Sequence, residues 1–224
     1  TPSGFMVESH QKGGQIVFDP AKVTLYLSKK QQNGGYVIGN DLCKKLHDGQ
    51  KRTSGEPYFN HALMTAEYIA EWGLDQASIA AGLLHDTVED TDYTIEKIRS
   101  EFGEEVAFLV DGITKLGKIK YRGVERQVEN LRKMILALSQ DIRVVIIKLA
   151  DRLHNMQTLK ALPPQKQKRI ALETMDIYSP LAYRLGMQKI SGELEDLAFP
   201  YIYPQEYRWL INSVKEKYEE REKY

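Results

Sequence analysis

The sequence has one cysteine and no excess of either charge. Cys43 has no partner for an intrachain disulfide, which is typical of proteins kept in a reducing compartment such as the cytoplasm. The 31 basic and 31 acidic residues leave a formal net charge of zero, so no overall field favours nucleic acid or an anionic membrane. Recognition of an anion must therefore come from local clusters of charge, and we expect no direct binding of nucleic acid.

Long apolar runs and a secretory signal pattern are also missing. No apolar stretch is long enough to span a bilayer, so the sequence predicts no membrane segment. The alternation of apolar and polar residues that is typical of strands is absent too, whereas apolar residues recur at helical spacing nearly throughout. The sequence predicts an all-α protein, and its 224 residues suffice for a sizeable core without disulfides.

Turn and capping signals divide this helical pattern. We predict a flexible N-terminal arm over residues 1–20, one domain over 21–200 and a further helix over 201–224. Gly112 should end a helix and open a mobile basic loop, residues 112–123, whose charges are Lys115, Lys118, Lys120 and Arg122. The expected helices are 23–27, 37–46, 62–72, one capped by Asp75 that carries His85, 95–102, 105–111, 124–138, 142–159, 165–177, 181–185, 187–199 and 205–224.

Four side chains that bind metals or transfer protons follow the apolar run 79–84: His85, Asp86, Glu89 and Asp90. Read as one continuous helix, His85 faces Glu89 and Asp86 faces Asp90, each pair one turn apart. Burying such groups beside an apolar run costs free energy unless a cation or a hydrogen-bond network compensates. A divalent metal is the simplest compensation. His85 and Asp86 would then be ligands, and Glu89 and Asp90 would act on a water molecule.

The predicted helix 142–159 suggests another ligand. Apolar residues fall on both of its sides, so the helix should be covered all round, with Asp151 buried and in need of a partner. His61, near the start of an earlier helix, supplies a second nitrogen. Two nitrogens and two carboxylates suit a six-coordinate ion such as Mn²⁺ better than a closed structural zinc site, although Fe²⁺, Co²⁺ and Zn²⁺ stay open.

The order of these residues resembles the metal-dependent HD phosphohydrolases, and in detail the hydrolase domain of the RelA/SpoT (Rel) family of alarmone enzymes. The similarity covers about residues 40 to 205. The motifs that carry it are His47-x-Gly49-Gln50-x-Arg52, Ser54-Gly55-Glu56-Pro57-Tyr58, His85-Asp86-Thr87-Val88-Glu89-Asp90-Thr91, Lys148-Leu149-Ala150-Asp151-Arg152-Leu153-His154-Asn155-Met156 and Pro180-Leu181-Ala182-x-Arg184-Leu185-Gly186.

The resemblance implies an HD-type bundle of about ten helices around a single metal site. It further implies Mn²⁺-dependent removal of the 3′-diphosphate of (p)ppGpp, giving GDP or GTP and pyrophosphate, and so control of the stringent response. The matching metal ligands are His61, His85, Asp86 and Asp151, and the matching water-activating pair is Glu89 and Asp90. The residues that match the nucleoside-binding positions are Arg52, Thr53, Ser54, Asn155 and Thr158.

Two departures from the family pattern are visible. Ala62 stands where a proline usually follows the first metal histidine, and Thr53 stands where a lysine is common. The first removes no ligand, and the second leaves one base or phosphate contact in doubt. His154 is read mainly as a structural residue.

The resemblance also implies an N-terminal hydrolase portion of a bifunctional enzyme, with a synthetase domain beyond the last helix. Two alternatives stay open. One is a regulatory domain that binds nucleotide without turnover. The other is an HD phosphohydrolase acting on another nucleotide.

Overall fold

The structure, a computed structural model, describes residues 10–12, 15–17, 39–117 and 140–221. The all-α class is confirmed for residues 39–117 and 140–221, and no helix among the described residues is both long and apolar enough to cross a membrane. The predicted helices at 23–27 and 124–138 lie outside the described residues. The early helices are α1 (Gly39–Leu46), α2 (Tyr58–Glu71), α3 (Gln76–Leu84), α4 (Thr87–Asp90), α5 (Ile95–Phe102) and α6 (Glu104–Gly117). The later ones are α7 (Ile142–Gln157), α8 (Pro164–Glu173), α9 (Ser179–Arg184), α10 (Gln188–Ile202) and α11 (Pro204–Arg221).

A short ribbon precedes the helices. Strands β1 (His10–Lys12) and β2 (Gln15–Val17) pair antiparallel, with His10 opposite Val17. The sequence analysis found no strand pattern, because three residues are too few for an alternation to be recognised.

Helix α3 lies at the centre of the core. It packs against α2, α6 and α7, and every residue from Ala77 to Leu84 is buried. The predicted cap is confirmed, since the Asp75 side chain accepts a hydrogen bond from Ser78 N at 2.8 Å. Arg143, at the start of α7, binds Asp75 and Glu105 at 2.7 Å each, and so ties the first turns of α3, α6 and α7 together.

The prediction of one continuous helix through His85 and Asp90 is wrong. Helix α3 ends at Leu84, and α4 is a separate single turn from Thr87 to Asp90. The Thr87 hydroxyl donates to Leu84 O at 2.7 Å, and such a bond offers the backbone an alternative to helix continuation. Asp90 N still donates to Asp86 O at 2.9 Å. Of the two predicted pairs, Asp86 and Asp90 are therefore one helical turn apart, whereas His85 and Glu89 are not joined in this way.

The predicted helix end at Gly112 is also wrong, because α6 continues to Gly117. A Cβ at Gly112 would lie 2.9 Å from Val144 Cγ2, so glycine is needed here for close packing against α7. Lys115 therefore lies on α6, where its ammonium pairs with Asp111 at 2.5 Å, and not in a mobile loop. Residues 118–123 of that predicted loop lie outside the described residues.

Helix α7 agrees closely with its prediction. The Asp141 side chain caps it by accepting from Arg143 N at 2.9 Å. Asp151 is 5% exposed, so its predicted burial is confirmed.

The predicted break at residues 178–180 is wrong. A π-helical segment, Thr174–Tyr178, joins α8 to α9, and Pro180 stands in the first turn of α9. The wide turn accommodates the proline where its missing N–H costs little. Gly186, with a φ of 78°, lies between α9 and α10, as the predicted helices 181–185 and 187–199 imply.

Candidate active site

Three separate elements bring the predicted metal ligands together. His61 lies in the first turn of α2, which begins at Tyr58 rather than at residue 62 as predicted. His85 and Asp86 occupy the junction between α3 and α4, and Asp151 lies in the middle of α7. Both histidines are buried, and the Asp86 side chain is 17% exposed.

The ligand atoms converge on one point. His61 Nε2 lies 3.5 Å from Asp86 Oδ2 and 3.1 Å from Asp151 Oδ1. His85 Nε2 lies 3.1 Å and 3.8 Å from the same two oxygens. Ligands about 2.1 Å from one ion are separated by about 3 to 3.5 Å. Three of these four separations fit a shared cation, and the fourth, between His85 and Asp151, is slightly longer. Among the described residues, one potential ligand atom from each of His61, His85 and Asp86 lies within 4.8 Å of the other two.

The hydrogen bonding of His85 favours a cation independently. His85 Nδ1 lies 2.7 Å from the carbonyl oxygen of Gly82, which can only accept, so Nδ1 carries the proton. His85 Nε2 is buried and has no hydrogen-bond partner within the described part of the chain. In neutral His85 its lone pair faces two carboxylate oxygens, an arrangement that a divalent ion stabilises. The residues present therefore fit a divalent metal.

A second histidine, His154, orients the first ligand. The Nδ1 atoms of His61 and His154 lie 2.7 Å apart, and both side chains are buried. Because His61 Nε2 faces the carboxylates, its Nδ1 is free to interact with His154. The sequence analysis treated His154 as mainly structural, since spacing along α7 does not show which residue of α2 lies opposite.

Tyr58 supports the third ligand. Its hydroxyl donates to Asp86 Oδ2 at 2.7 Å, and its ring stacks on His47 with centroids 4.8 Å apart. Burial raises the pKa of Tyr58, with further contributions from the Asp86 and Asp90 carboxylates, so the hydroxyl stays a donor. The sequence analysis gave no role to Tyr58, although it follows Pro57 at the start of α2.

The electrostatics of the cluster are dominated by the carboxylates. Burial opposes ionisation of Asp86 and Asp151, but neighbouring positive charge outweighs burial and holds the pKa of both well below the usual range. The main contributions come from His85 for Asp86 and from Lys148 for Asp151. Burial would lower the pKa of His85, yet Asp86 and Asp151 raise it to about 9.

Glu89 and Asp90 lie on α4, immediately after the metal cluster, and are exposed. Although Glu89 is exposed, desolvation of its carboxyl by the surrounding protein raises its pKa, against the opposing effect of Lys148. The backbone carbonyl of Asp90 accepts from Gln50 Nε2 at 3.3 Å. Both carboxylates therefore border the cluster from the solvent side, where an acid or a base has access to water.

A cavity of about 330 Å³ opens beside Asp151. This volume lies within the range of small-molecule sites, which is about 300 to 1,000 Å³. All five residues predicted to bind the nucleoside line it, namely Arg52, Thr53, Ser54, Asn155 and Thr158. Asp151, one of the four predicted metal ligands, also lines this cavity, so the two predicted residue sets meet at its side chain.

Arg52 is held in a tight loop that crosses to α7. Its backbone N donates to Glu56 O at 2.9 Å, and Gly55, with φ of 87°, allows the return of the chain. Its Nη2 donates to Asn155 Oδ1 at 2.6 Å, and Asn155 Nδ2 in turn donates to Asp151 Oδ1 at 2.5 Å. One hydrogen-bond chain therefore connects the loop, the cavity and the metal cluster.

The comparison with known families agrees with this geometry. The model of the HD domain matches residues 40–188, which contain the whole metal cluster and the cavity loop. The chain belongs to the HD domain family. The expected similarity to the RelA/SpoT enzymes is confirmed by the relatives described next, and the all-helical architecture is that of HD domains.

Several curated relatives share about half of the matched residues. The guanosine-3′,5′-bis(diphosphate) 3′-pyrophosphohydrolase of Aquifex aeolicus is 53% identical over 82% of this chain and 26% of its own length. The bifunctional (p)ppGpp synthase/hydrolase SpoT of Escherichia coli is 50% identical over 83% of this chain and 26% of its own length. The GTP pyrophosphokinase of Streptomyces coelicolor is 51% identical over 82% of this chain and 22% of its own length. The chain thus spans about a quarter of the length of these relatives.

Proposed function

We propose that this HD domain is a Mn²⁺-dependent phosphohydrolase that removes the 3′-diphosphate of (p)ppGpp, and that it thereby controls the stringent response. The observation that carries the proposal is the shared position of Asp151, which belongs both to the metal cluster and to the cavity wall. An ion at the cluster would meet the edge of a nucleotide in the cavity. The names of the relatives, which include 3′-pyrophosphohydrolases, support this substrate.

The proposed roles follow from the positions of the side chains. His61, His85, Asp86 and Asp151 hold the metal, which when bound supplies a Lewis acid for the phosphoryl group. Mn²⁺ is proposed because two nitrogens and two carboxylate oxygens form a mixed, fairly hard set with room for water.

Glu89 and Asp90 orient the attacking water and take its proton. The water oxygen bonds to the phosphorus attached to the 3′ oxygen as the P–O3′ bond breaks. The proton taken up by the carboxylates passes to the leaving 3′ oxygen, which ends as a hydroxyl, and the products are GDP or GTP and pyrophosphate.

Arg52, Thr53, Ser54, Asn155 and Thr158 hold the guanine nucleoside in this proposal. In the structure, the Asn155 amide is engaged at both ends, by Arg52 and by Asp151. Binding of a base edge therefore requires Arg52 to exchange its bond to Asn155 for a contact with the ligand. The flat guanidinium of Arg52 suits stacking on a base, and the Asn155 amide suits donation and acceptance along a base edge.

We further propose a larger context for the domain. Because the relatives are about four times longer than the matched region, a synthetase domain after α11 is proposed, with the hydrolase over residues 21–200 and a connecting helix over 201–224. The proposed location is the cytoplasm, as the single cysteine suggests.

The alternative of a silent regulatory domain is tested by the double variant Glu89→Gln and Asp90→Asn, which removes both proposed proton acceptors. We expect the parent to hydrolyse ppGpp and the variant to bind Mn²⁺ and ppGpp without turnover. The exposed pair Asp92→Asn and Glu96→Gln makes the same change of charge outside the cluster and is the control. Equal, background-level release of pyrophosphate by parent and variant, with ppGpp still bound, would favour the regulatory domain.

The second alternative concerns the substrate. Parent protein is assayed with ppGpp, pppGpp, GDP, GTP and deoxynucleoside monophosphates and triphosphates. We expect turnover of only the two nucleotides that carry a 3′-diphosphate. Turnover of another nucleotide in preference to ppGpp would identify a different HD phosphohydrolase.

A further inference from the structure

Lys148 occupies an unusual position on α7. Its side chain is only 14% exposed, its ammonium lies 2.7 Å from Asp151 Oδ2, and it also lines the cavity. The other oxygen of Asp151, Oδ1, faces His61 and His85. The carboxylate thus has one oxygen toward the metal ligands and one toward Lys148. Burial of an ammonium is costly, so a position this close to the ligands needs an explanation beyond packing.

Two of the other three cations of the cavity wall have different partners, and the third, Arg169, is exposed on α8. Arg152 pairs with Glu173 at 2.6 Å, and its guanidinium carbon lies 4.0 Å from the centre of the Tyr178 ring. Arg52 is held by Asn155 on the opposite side. Of the cations in the described cavity wall, Lys148 is the one whose carboxylate partner is itself a proposed metal ligand.

The net charge of the metal cluster indicates why a cation is needed beside it. Asp86, Glu89, Asp90 and Asp151 together carry four negative charges, and a divalent ion cancels two of them. A diphosphate approaching the ion would still meet net negative charge at close range. An ammonium has three donors, and the ion pair with Asp151 uses one, so donors remain for phosphate oxygens on the cavity side.

We propose that Lys148 contacts the 3′-diphosphate and holds it against the metal, as a substrate-binding residue. The inference rests on the proposed function for the identity of the nucleotide, but the contact itself is to a diphosphate. If Lys148 contacts the diphosphate, its replacement should weaken the binding of ligands that carry this group and leave the binding of other ligands unchanged. GDP carries the guanine and the 5′-diphosphate but lacks the 3′-diphosphate, whereas pyrophosphate is the group alone.

The test compares Lys148→Met and Lys148→Gln with the parent, all loaded with Mn²⁺. Glutamine keeps a hydrogen bond to Asp151 without the charge, so it separates charge from folding. Lys168→Met, an exposed lysine of α8 that does not line the cavity, is the control for net charge. Pyrophosphate and GDP binding are measured by calorimetry in the same excess of Mn²⁺, and bound Mn²⁺ by electron paramagnetic resonance.

We expect both Lys148 variants to bind pyrophosphate about tenfold or more weakly, as for a lost charged hydrogen bond, and to bind GDP and Mn²⁺ within about twofold of the parent. The KM for ppGpp should rise in parallel. Unchanged pyrophosphate binding, or an equal loss for GDP and Mn²⁺, would overturn the inference and leave Lys148 as the counterion of Asp151. A parent that binds pyrophosphate through Lys148 but does not hydrolyse ppGpp would contradict only the proposed function. A parent that does not bind pyrophosphate would overturn the inference.

Discussion

His61 and His154 face each other through their Nδ1 atoms at 2.7 Å in the buried interface of α2 and α7. Burial lowers the pKa of His154 to about 3, with further lowering by His61 and Arg52, so His154 is neutral. With His61 Nε2 directed at the metal cluster, the shared proton belongs on His61 Nδ1, and His154 Nδ1 accepts it. A histidine ligand is commonly oriented by such a bond from its second nitrogen.

Replacing His154 tests this orientation. His154→Leu removes the acceptor and should weaken Mn²⁺ binding by about 10- to 100-fold, the usual effect of losing an outer partner of a ligand. His154→Asn supplies an oxygen acceptor near the position of Nδ1 and should recover part of the affinity. Titration of Mn²⁺ followed by electron paramagnetic resonance measures both. Equal affinities in the leucine variant and the parent would show that His61 does not depend on His154.

Tyr58→Phe removes one hydroxyl and keeps the ring that stacks on His47. Asp86 Oδ2 would lose a donor at 2.7 Å, so we expect Mn²⁺ affinity to fall by about tenfold. The free energy of unfolding of the metal-free protein should change by less than about 3 kcal/mol. Calorimetric titration with Mn²⁺ and urea unfolding provide the two values. A large loss of stability with unchanged metal affinity would assign the hydroxyl to packing.

Metal binding should depend on pH through His85. The carboxylates of Asp86 and Asp151 raise the pKa of metal-free His85 to about 9, and the metal needs the neutral ring. Below this pKa the ion must displace a proton, so apparent Mn²⁺ affinity should rise by about tenfold per pH unit as the pH increases toward 9. Titrations between about pH 6.5 and 8.5 measure the slope. An affinity that does not change over this interval would contradict a protonated metal-free His85.

Gly112→Ala tests the packing that brings α7 to the cluster. The added Cβ would meet Val144 Cγ2 at 2.9 Å, and the Val144 side chain is buried, so it can move aside only by displacing its neighbours. We expect a loss of about 1–3 kcal/mol in the free energy of unfolding, measured with urea. Gly192→Ala, in α10 with nothing within 4 Å of the new Cβ, is the matched control and should gain up to about 1 kcal/mol. A neutral Gly112→Ala would mean that the helices separate easily.

Local signals predicted the parts of the fold that depend on neighbouring residues. Asp75 was recognised as a cap because its partner, Ser78, lies three residues away. Asp151 was placed in the core because α7 is apolar on both sides. Gly112 was misread as a helix end, since its reason for being glycine is Val144 on another helix.

The ligand and nucleoside residues could be predicted because the order of the motifs along the chain matched that of the family. The geometry behind them was less accessible from the sequence. The contacts of His154 with His61 and of Tyr58 with Asp86 join residues 93 and 28 positions apart, respectively, and no periodicity within one helix reveals such pairs. At the break between α3 and α4 the Thr87 hydroxyl donates to Leu84 O, a bond of the kind that competes with helix continuation.

The most direct test of the account is hydrolysis of ppGpp by this chain, first stripped of metal and then supplied with Mn²⁺, with GDP and pyrophosphate both followed. We predict release of both products only after Mn²⁺ is added, and loss of release in His85→Ala and in Asp151→Ala. Release that is independent of metal, or that persists in both variants, would contradict the proposed site. Binding of ppGpp without release under any divalent ion would contradict the proposed reaction.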